Sequence, residues 1–339
     1  MKIYRVPAAV AAACAVVIGL SGCSVDGPGS PSSAAPSGST PAGPALPESC
    51  AAEKPVVGVA LPNTVNPYYI SMKASFEENG AALGFDVKVA IANDDDSAQL
   101  GQVQSFIQQK VCAVVLNGVN SGPAAASVAA LNQAGIPVFT VNQIVDPDSL
   151  KAQSADFVQF VGADQTAGGT AMGELAIKDI GTDTPLVVGL VGAPDQIAAN
   201  QRDKGFVDAL TPAKSVEVLP TVNSKVDPAV ALQVTSELLQ SNPAINVIFA
   251  ATGPSAVGAI QAINQTGRAD QVRLYAFCAA ETKLDDFYVG CAAQEPAVYA
   301  DTALKNLKSY LGGEQVEHEV LLVPKVFTSG QTPAPGELG

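Results

Sequence analysis

Short apolar segments rich in β-branched residues alternate with Ala-rich amphipathic stretches along most of this chain. The first apolar segments lie at residues 56–62, 85–92, 112–118 and 137–142, and the stretches between them at 67–83, 98–110 and 122–134. Apolar strands that alternate with helices are typical of parallel sheets covered by helices on both faces. Each strand–helix–strand connection is then expected to be right-handed, which leaves few possible topologies.

A second set of the same kind follows the first. Its predicted strands are 157–164, 186–192, 216–222, 247–252, 273–278 and 291–294, and its helices are 167–180, 197–210, 228–240, 255–264 and 282–288. A helix at 298–311 and a strand at 318–326 close the pattern. Two consecutive sets predict an α/β fold with two lobes, each a doubly wound parallel sheet. Because ligands bind beyond the carboxyl ends of such strands, we expect the functional side chains in the loops that follow them.

The loops after the first two predicted strands contain tyrosines and carboxylates. Asn66 and Pro67 are a good helix start, and the two tyrosines that follow could offer flat faces and hydroxyl groups to a ligand. The alternative is that both tyrosines are core residues. Of the carboxylates at 94–96, most are explained by capping of the next helix, and one ligand contact is the functional interpretation. Calcium is disfavoured because the spacing of an EF-hand loop is missing.

Composition excludes several classes of function. The formal net charge is −14 and basic clusters are missing, so a nucleic-acid partner is not expected. The sequence has no HExxH, GxSxG, GxGxxG or GxxxxGK[ST] motif, which disfavours an enzyme and predicts no cofactor. A single histidine and the lack of a CxxC pair predict no metal site. The remaining loops are mostly amides and hydroxyls, which suit a small neutral polar ligand.

The first residues read as a targeting segment. Lys2 and Arg5 form a basic start, and the apolar run at 8–20 is too short to span a bilayer, so residues 1–22 are predicted to be a secretory signal. The ending Leu20-Ser21-Gly22-Cys23 resembles the lipobox of bacterial lipoproteins, which implies lipidation of Cys23 and anchoring on the extracytoplasmic face of the cell membrane. An ordinary cleaved signal is the alternative. Residues 23–54 are predicted to form a disordered Ser/Pro/Gly-rich tether, and 331–339 a flexible tail.

Several motifs within residues 55–328 resemble a known family. They are Val57-Gly58-Val59, Asn66-Pro67-Tyr68-Tyr69, Ala134-Gly135-Ile136-Pro137-Val138, Arg202-Asp203-Lys204-Gly205-Phe206, Val247-Ile248-Phe249-Ala250 and Tyr275-Ala276-Phe277. Together they resemble the type I periplasmic-binding-protein fold, in the ribose/galactose-type sugar-binding group of ABC importers. The resemblance implies a hinge of three chain crossings, near residues 162–164, 294–296 and 322–324. The lobes would be 55–162 plus 296–322 and 163–295 plus 323–330.

The resemblance also implies ligand-binding positions, and at some of them this chain carries a residue other than the one usual in the family. They are Asn66, Tyr68, Tyr69, Asp95, Asn142, Gln143, Asn200, Thr252, Phe277 and Gln294. Sugar binders commonly carry Asp-Arg where this chain has Asn142-Gln143, and a further Asp where it has Cys278. Amides avoid the cost of burying an unpaired charge. With amides at these positions, the sequence does not distinguish among a sugar, a polyol and a nucleoside as the ligand.

Four cysteines remain in the mature chain, and outside the cytoplasm an even number favours disulfides. Three pairings are possible, and free buried pairs are the alternative. In the 2-1-3 strand order of the resembled fold, Cys50 precedes the first strand and Cys112 opens its neighbour, while Cys278 and Cys291 lie in successive strands. We therefore predict Cys50–Cys112 and Cys278–Cys291.

The sequence thus predicts a monomeric, lipid-anchored receptor that captures a small neutral ligand by hinge closure and presents it to the permease of an ABC transporter. A ligand-sensing receptor of a chemotaxis or signalling system would use the same fold and is the main alternative.

Overall fold

The computed structural model describes residues 46–280 and 282–331, and within these ranges thirteen strands alternate with nine α-helices. The strands are β1 (Val56–Leu61), β2 (Asp86–Ile91), β3 (Ala113–Leu116), β4 (Val138–Val141), β5 (Gln159–Ala163), β6 (Leu186–Gly192), β7 (Val216–Val218), β8 (Val222–Asn223), β9 (Val247–Ala250), β10 (Arg273–Phe277), β11 (Tyr288–Ala293), β12 (Glu319–Leu322) and β13 (Lys325–Thr328). The helices are α1 (Pro67–Leu83), α2 (Asp96–Gln108), α3 (Ser121–Gln133), α4 (Pro147–Ala152), α5 (Gln165–Ile180), α6 (Ile197–Ala209), α7 (Pro228–Ser241), α8 (Gly253–Gln265) and α9 (Pro296–Leu311). A 3-10 helix, Glu48–Ala51, precedes β1. The predicted signal, Cys23, most of the tether and nearly all of the tail lie outside the described residues.

The strands form two sheets. The first has the order β12-β5-β4-β3-β1-β2 and is parallel throughout. The second has the order β13-β11-β10-β9-β6-β7, and β13 runs antiparallel to β11. Each sheet has an apolar core on both faces, which is why its central strands are almost entirely buried. The predicted fold class, two doubly wound lobes, is confirmed.

The chain passes between the two sheets three times. It crosses after β5, again between β11 and α9, and finally between β12 and β13, which belong to different sheets. After the second crossing α9 packs on the first sheet, where Tyr299 and Leu304 join the core of Met72 and Phe76. Three separate connections restrict how the lobes can move relative to each other, and hinge bending is the motion they permit.

Helix starts follow directly from local sequence. Asn66 caps α1 by accepting a hydrogen bond from the backbone N–H of Tyr68 at 3.0 Å, and Pro67 occupies the first helical turn, where no donor is needed. Aspartates cap α2, α4, α5 and α7, and Thr252 caps α8. Since these helices begin just after strands end, their N-termini and the strands' carboxyl ends lie on the same side of each sheet.

The structure differs from the sequence prediction in several short segments. The predicted helix 282–288 does not form, because the Asp285 carboxylate accepts hydrogen bonds from the backbone N–H groups of Phe287 and Tyr288 and holds a turn before β11. The single strand predicted at 318–326 is divided into β12 and β13, which belong to different sheets. The helix α4 was not predicted.

Both predicted disulfides are present, Cys50–Cys112 and Cys278–Cys291. The first ties the segment before β1 to the residue that precedes β3, and the second joins the end of β10 to β11. Over the described residues, none of the helices combines the length and apolar character needed to cross a bilayer.

Glycines allow α5 and α6 to pack unusually close together. A Cβ added to Gly169 would lie 2.1 Å from the carbonyl oxygen of Arg202, and one added to Gly205 would lie 2.3 Å from that of Thr166. Contacts this short are not possible for real side chains, so the two helices could not keep their spacing with alanine at either position. Gly169 and Gly205 are therefore required by the packing of α5 against α6.

We expect Gly169→Ala to lower the free energy of unfolding by ~1–3 kcal/mol, because the helices must separate to accommodate the methyl group. Gly101→Ala is the matched control: it is also a helical glycine, but a Cβ there meets nothing within 4 Å. That substitution should be neutral or stabilise by up to ~1 kcal/mol through helix propensity. Urea denaturation of the three proteins measures both effects, and equal midpoints would contradict the packing role.

Candidate functional site

A polar cavity of about 250 Å³ lies between the two lobes, at the carboxyl ends of their strands. Both lobes contribute to its wall. The first lobe supplies the loops after β1, β2 and β4, and the second supplies the loops after β6, β8, β9 and β10. The lining residues with polar or aromatic side chains are Asn63, Asn66, Tyr68, Tyr69, Asp94, Asn142, Gln143, Gln196, Arg202, Lys225, Asp227, Thr252 and Gln294.

A hydrogen-bonded set of neutral groups forms the wall on the first lobe. The Tyr68 hydroxyl donates to Asn142 Oδ1 at 2.9 Å, and Gln294 Nε2 approaches the same oxygen at 3.4 Å. Burial raises the pKa of Tyr68 well above its ordinary value, so this hydroxyl stays a neutral donor. Since Oδ1 of Asn142 is used by protein donors, its amide nitrogen is the group left to face a ligand.

Tyr69 lies beside Tyr68, with the two rings edge to face and their centres 5.3 Å apart. Tyr69 is only partly buried and lines the cavity, and its pKa is also raised, by burial first and by the Asp94 carboxylate second. Asp94 in turn accepts a hydrogen bond from Asn63 at 2.8 Å. This part of the wall offers an aromatic face with polar groups at its edge, which suits the C–H surface of a small polyhydroxylated molecule.

Arg202 is a buried cation on the wall of the second lobe. Its Nε donates to Gln165 Oε1 at 2.7 Å, its Nη1 donates to the carbonyl oxygen of Ala251 at 2.8 Å, and its guanidinium lies 4.0 Å from the centre of the Phe277 ring. Burial lowers its pKa to about 10, so it remains charged at neutral pH. Among the described residues Nη2 has no hydrogen-bond acceptor, which makes it available to a ligand.

The turn before α7 is strained where it meets the cavity. Lys225 and Val226 have φ values of 53° and 54°, a region that β-branched residues rarely adopt. The turn is held by two side chains, because Asn223 Oδ1 accepts from the backbone N–H of Lys225 and Ser224 Oγ accepts from that of Val226. Both residues lie on the cavity wall in this conformation. No sequence pattern predicted the turn.

Of the ten residues predicted to bind the ligand, the structure brings seven to the cavity wall: Asn66, Tyr68, Tyr69, Asn142, Gln143, Thr252 and Gln294. Three lie elsewhere. Asp95 is exposed and caps α2, accepting from the N–H groups of Ser97 and Ala98. Asn200 is exposed on α6 and donates to the Pro194 carbonyl oxygen. Phe277 is buried beneath the Arg202 guanidinium, which separates its ring from the cavity.

Arg202 and Asp94 are cavity residues that the sequence analysis did not propose as ligand contacts. The signal for Arg202 was the motif Arg202-Asp203-Lys204-Gly205-Phe206, which the sequence analysis used for the fold and not for the ligand. In the structure Arg202 lies one helical turn after Ala198 on α6, and both residues line the cavity. The signal for Asp94 was weaker. Asn93 and Asp94 both have positive φ, with values of 53° and 60°, and this turn brings Asp94 rather than Asp95 to the wall.

Two α/β lobes with three connections and a polar cavity between them define a hinged ligand-binding protein. A family model described as "Periplasmic binding protein domain" matches residues 57–315. The chain therefore belongs to this family.

Relatives and solved structures agree with the assignment. Ribose import binding protein RbsB of Bacillus subtilis (strain 168) is 25% identical over 276 residues, 80% of this chain and 87% of that protein. An ABC transporter solute binding protein from Agrobacterium vitis bound with alpha-D-tagatopyranose is 20% identical with a TM-score of 0.76, covering 84% of this chain and 98% of the other. One from Bacillus halodurans C-125 with bound myo-inositol is 23% identical with a TM-score of 0.72, covering 81% and 94%. The two structures show a shared fold.

Asp203, next to Arg202 on α6, predicts a pH dependence of stability. Its side chain is 7% exposed, Thr221 donates to Oδ2 at 3.3 Å, and Oδ1 has no partner among the described residues. Burial raises its pKa to about 7, against an ordinary value near 4. The folded protein therefore holds a proton that the unfolded chain releases, and stability should fall as the pH rises from about 4 to about 7.

Asp203→Asn should remove this dependence, because the amide stays neutral. We expect the variant to match the wild-type stability near pH 4 and to exceed it by roughly 4 kcal/mol at pH 8. Asp208→Asn removes one carboxylate from the exposed side of the same helix and serves as the control for the change in net charge. Denaturation curves across this range measure the effect, and parallel wild-type and Asp203→Asn profiles would contradict it.

Proposed function

We propose that the protein is the substrate-binding component of an ABC importer, and that it captures a small neutral polar ligand, a sugar or polyol, by closing its two lobes. The observation that supports this most directly is the cavity wall, which combines amides, hydroxyls and an aromatic face drawn from both lobes. The relative named above is a ribose import binding protein, and the two solved structures hold a ketose and a cyclitol.

The chemistry of the wall matches a molecule covered with hydroxyl groups. Each hydroxyl can donate one hydrogen bond and accept two, and the amides of Asn142, Gln143 and Gln294 supply both kinds of partner. Arg202 supplies a donor from the opposite lobe. A cavity of about 250 Å³ lies just below the range of about 300–1,000 Å³ that is typical of sites for larger organic ligands. A monosaccharide is the appropriate size class.

Closure of the two lobes links binding of the ligand to its presentation to the permease. A ligand that contacts both lobes binds the closed state better than the open state, and the equilibrium shifts only by this difference in affinity. The closed form would then be recognised by the permease. The curated relatives are binding proteins, which supports a role without catalysis.

We also propose that Cys23 carries a lipid that tethers the protein to the outer face of the cell membrane. The support is the sequence Leu20-Ser21-Gly22-Cys23 after a short apolar run, together with a family that works outside the cytoplasm. Cys23→Ser should move the protein from the membrane fraction to the soluble fraction of its host. Retention of the variant in the membrane fraction would contradict lipidation at this residue.

The ligand class can be tested by native mass spectrometry of freshly purified protein, followed by thermal-shift measurements with aldopentoses, aldohexoses, inositols and nucleosides. We expect stabilisation by a sugar or a polyol, since a ligand that binds only the folded state raises the melting temperature. Stabilisation by nucleosides alone would replace the sugar assignment. Uptake of the ligand by a strain that lacks this protein would favour a sensing role over transport.

We expect Tyr69→Ala to weaken binding of the identified ligand at least tenfold, about 1.4 kcal/mol, because the substitution removes the aromatic face of the cavity. Tyr69→Phe keeps the ring and should retain most of the affinity. Ile70→Ala changes the neighbouring residue, which is 49% exposed and does not line the cavity, and serves as the control. Calorimetric titration of all three variants measures the effect, and an unchanged dissociation constant for Tyr69→Ala would remove this residue from the site.

A further inference from the structure

The first turns of α3 and α6 meet across the cavity, although the two helices belong to different lobes. Ser121, the first residue of α3, accepts a hydrogen bond through Oγ from the backbone N–H of Ile197, the first residue of α6, at 3.1 Å. Beside it, Gln196 Nε2 approaches the Val119 carbonyl oxygen at 3.5 Å. Both contacts join the lobes, so both must break when the lobes separate.

The helix α6 receives no cap from its own lobe. The other helices that cover the second sheet, α5, α7 and α8, are capped by the side chains of Asp164, Asp227 and Thr252, which precede them. Gln196 holds the corresponding position before α6 and makes no capping hydrogen bond. The first N–H groups of a helix have no acceptor within the helix. In this structure the opposite lobe provides one for Ile197.

The same serine oxygen also contacts the cavity wall. Gln143 Nε2 donates to Ser121 Oγ at 3.1 Å, and Gln143 lines the cavity. A hydroxyl oxygen has two lone pairs, so one N–H donor from each lobe fills its acceptor capacity. Ser121 is 3% exposed and does not itself line the cavity, so its oxygen serves the closed arrangement and not the ligand.

We propose that Ser121 caps α6 from the opposite lobe only when the lobes are closed, and that this contact lengthens the lifetime of the ligand-bound state. The inference rests on the proposed function. In the open state the Ile197 N–H is exposed to water, which replaces the serine. The contact therefore adds to the closed state without any contact to the ligand, and the affinity rises by the difference between the two states.

The test compares Ser121→Ala with Ser127→Ala. Both serines are buried on α3, at 3% and 2% exposure, but Ser127 makes no contact between the lobes. With a ligand identified from the sugar and polyol panel, we expect Ser121→Ala to raise the dissociation constant about five- to tenfold, the factor expected for one lost hydrogen bond to a buried donor. The dissociation rate should carry this change, the association rate should stay constant, and Ser127→Ala should bind as the wild type does.

Two further measurements distinguish this role from a purely structural one. They are the melting temperature of the ligand-free protein and the dissociation rate of a conservative variant. Ser121→Ala also removes the hydrogen bond from Gln143 within the first lobe, so we expect a small loss of melting temperature without ligand and a larger loss with ligand. Ser121→Thr, which keeps the oxygen, should restore the slow dissociation. Equal loss of stability with and without ligand would overturn the proposal, as would identical dissociation rates for wild type and Ser121→Ala. Wild-type protein that binds no member of the panel would contradict the proposed function, and the role of Ser121 would fall with it.

Discussion

The buried guanidinium of Arg202 determines how the second lobe is arranged around the cavity. A buried charge costs several kcal/mol unless hydrogen bonds and ring faces replace its water, so the groups around it cannot be placed freely. Here those groups are the side chain of Gln165, the carbonyl oxygen of Ala251 and the ring of Phe277. They come from the start of α5, the end of β9 and the end of β10. Gln165 follows the first crossing between the lobes directly, so the guanidinium connects the cavity wall to the hinge.

This arrangement requires the close approach of α5 and α6. Gln165 and Arg202 lie on these two helices, and their 2.7 Å hydrogen bond depends on the close backbone separation that the interface glycines Gly169, Gly173 and Gly205 permit. Phe206, the next residue after Gly205, then stacks on Phe249 with ring centres 4.4 Å apart and fixes α6 on the sheet. The small residues at the interface between α5 and α6 and the large rings between α6 and the sheet thus act together to position α6. The packing of the lobe and the position of the buried cation have the same cause.

Much of the fold and part of the cavity could be predicted from the sequence, because both follow from local rules. The alternation of apolar and amphipathic segments specifies the two lobes, and the Asn66-Pro67 helix start brings Tyr68 and Tyr69 to a strand's carboxyl end. The failures are at positions where a shift of one or two residues changes which side chain lines the cavity. A turn with two positive φ values exchanges Asp94 for Asp95, and half a helical turn on α6 exchanges Arg202 for Asn200. These details depend on tertiary contacts, which the alternation of apolar and polar residues along the chain does not predict.

The charge balance of the cavity leaves a buried charged donor in a wall made mostly of amides and hydroxyls. Arg202 forms no ion pair with any described carboxylate, and its neighbour Asp203, with a pKa near 7, is only a partial counter-charge. The carboxylates of Asp94 and Asp227 are exposed, where water and salt screen their charge. The guanidinium is therefore a buried charged donor on the cavity wall whose hydrogen bonding is incomplete. A hydroxyl oxygen placed against Nη2 completes its hydrogen bonding, and hydrogen bonds to charged donors are stronger than those to amides. A single buried cation can thus replace the charged clamp that the amide substitutions removed, provided that the closed lobes exclude water from it.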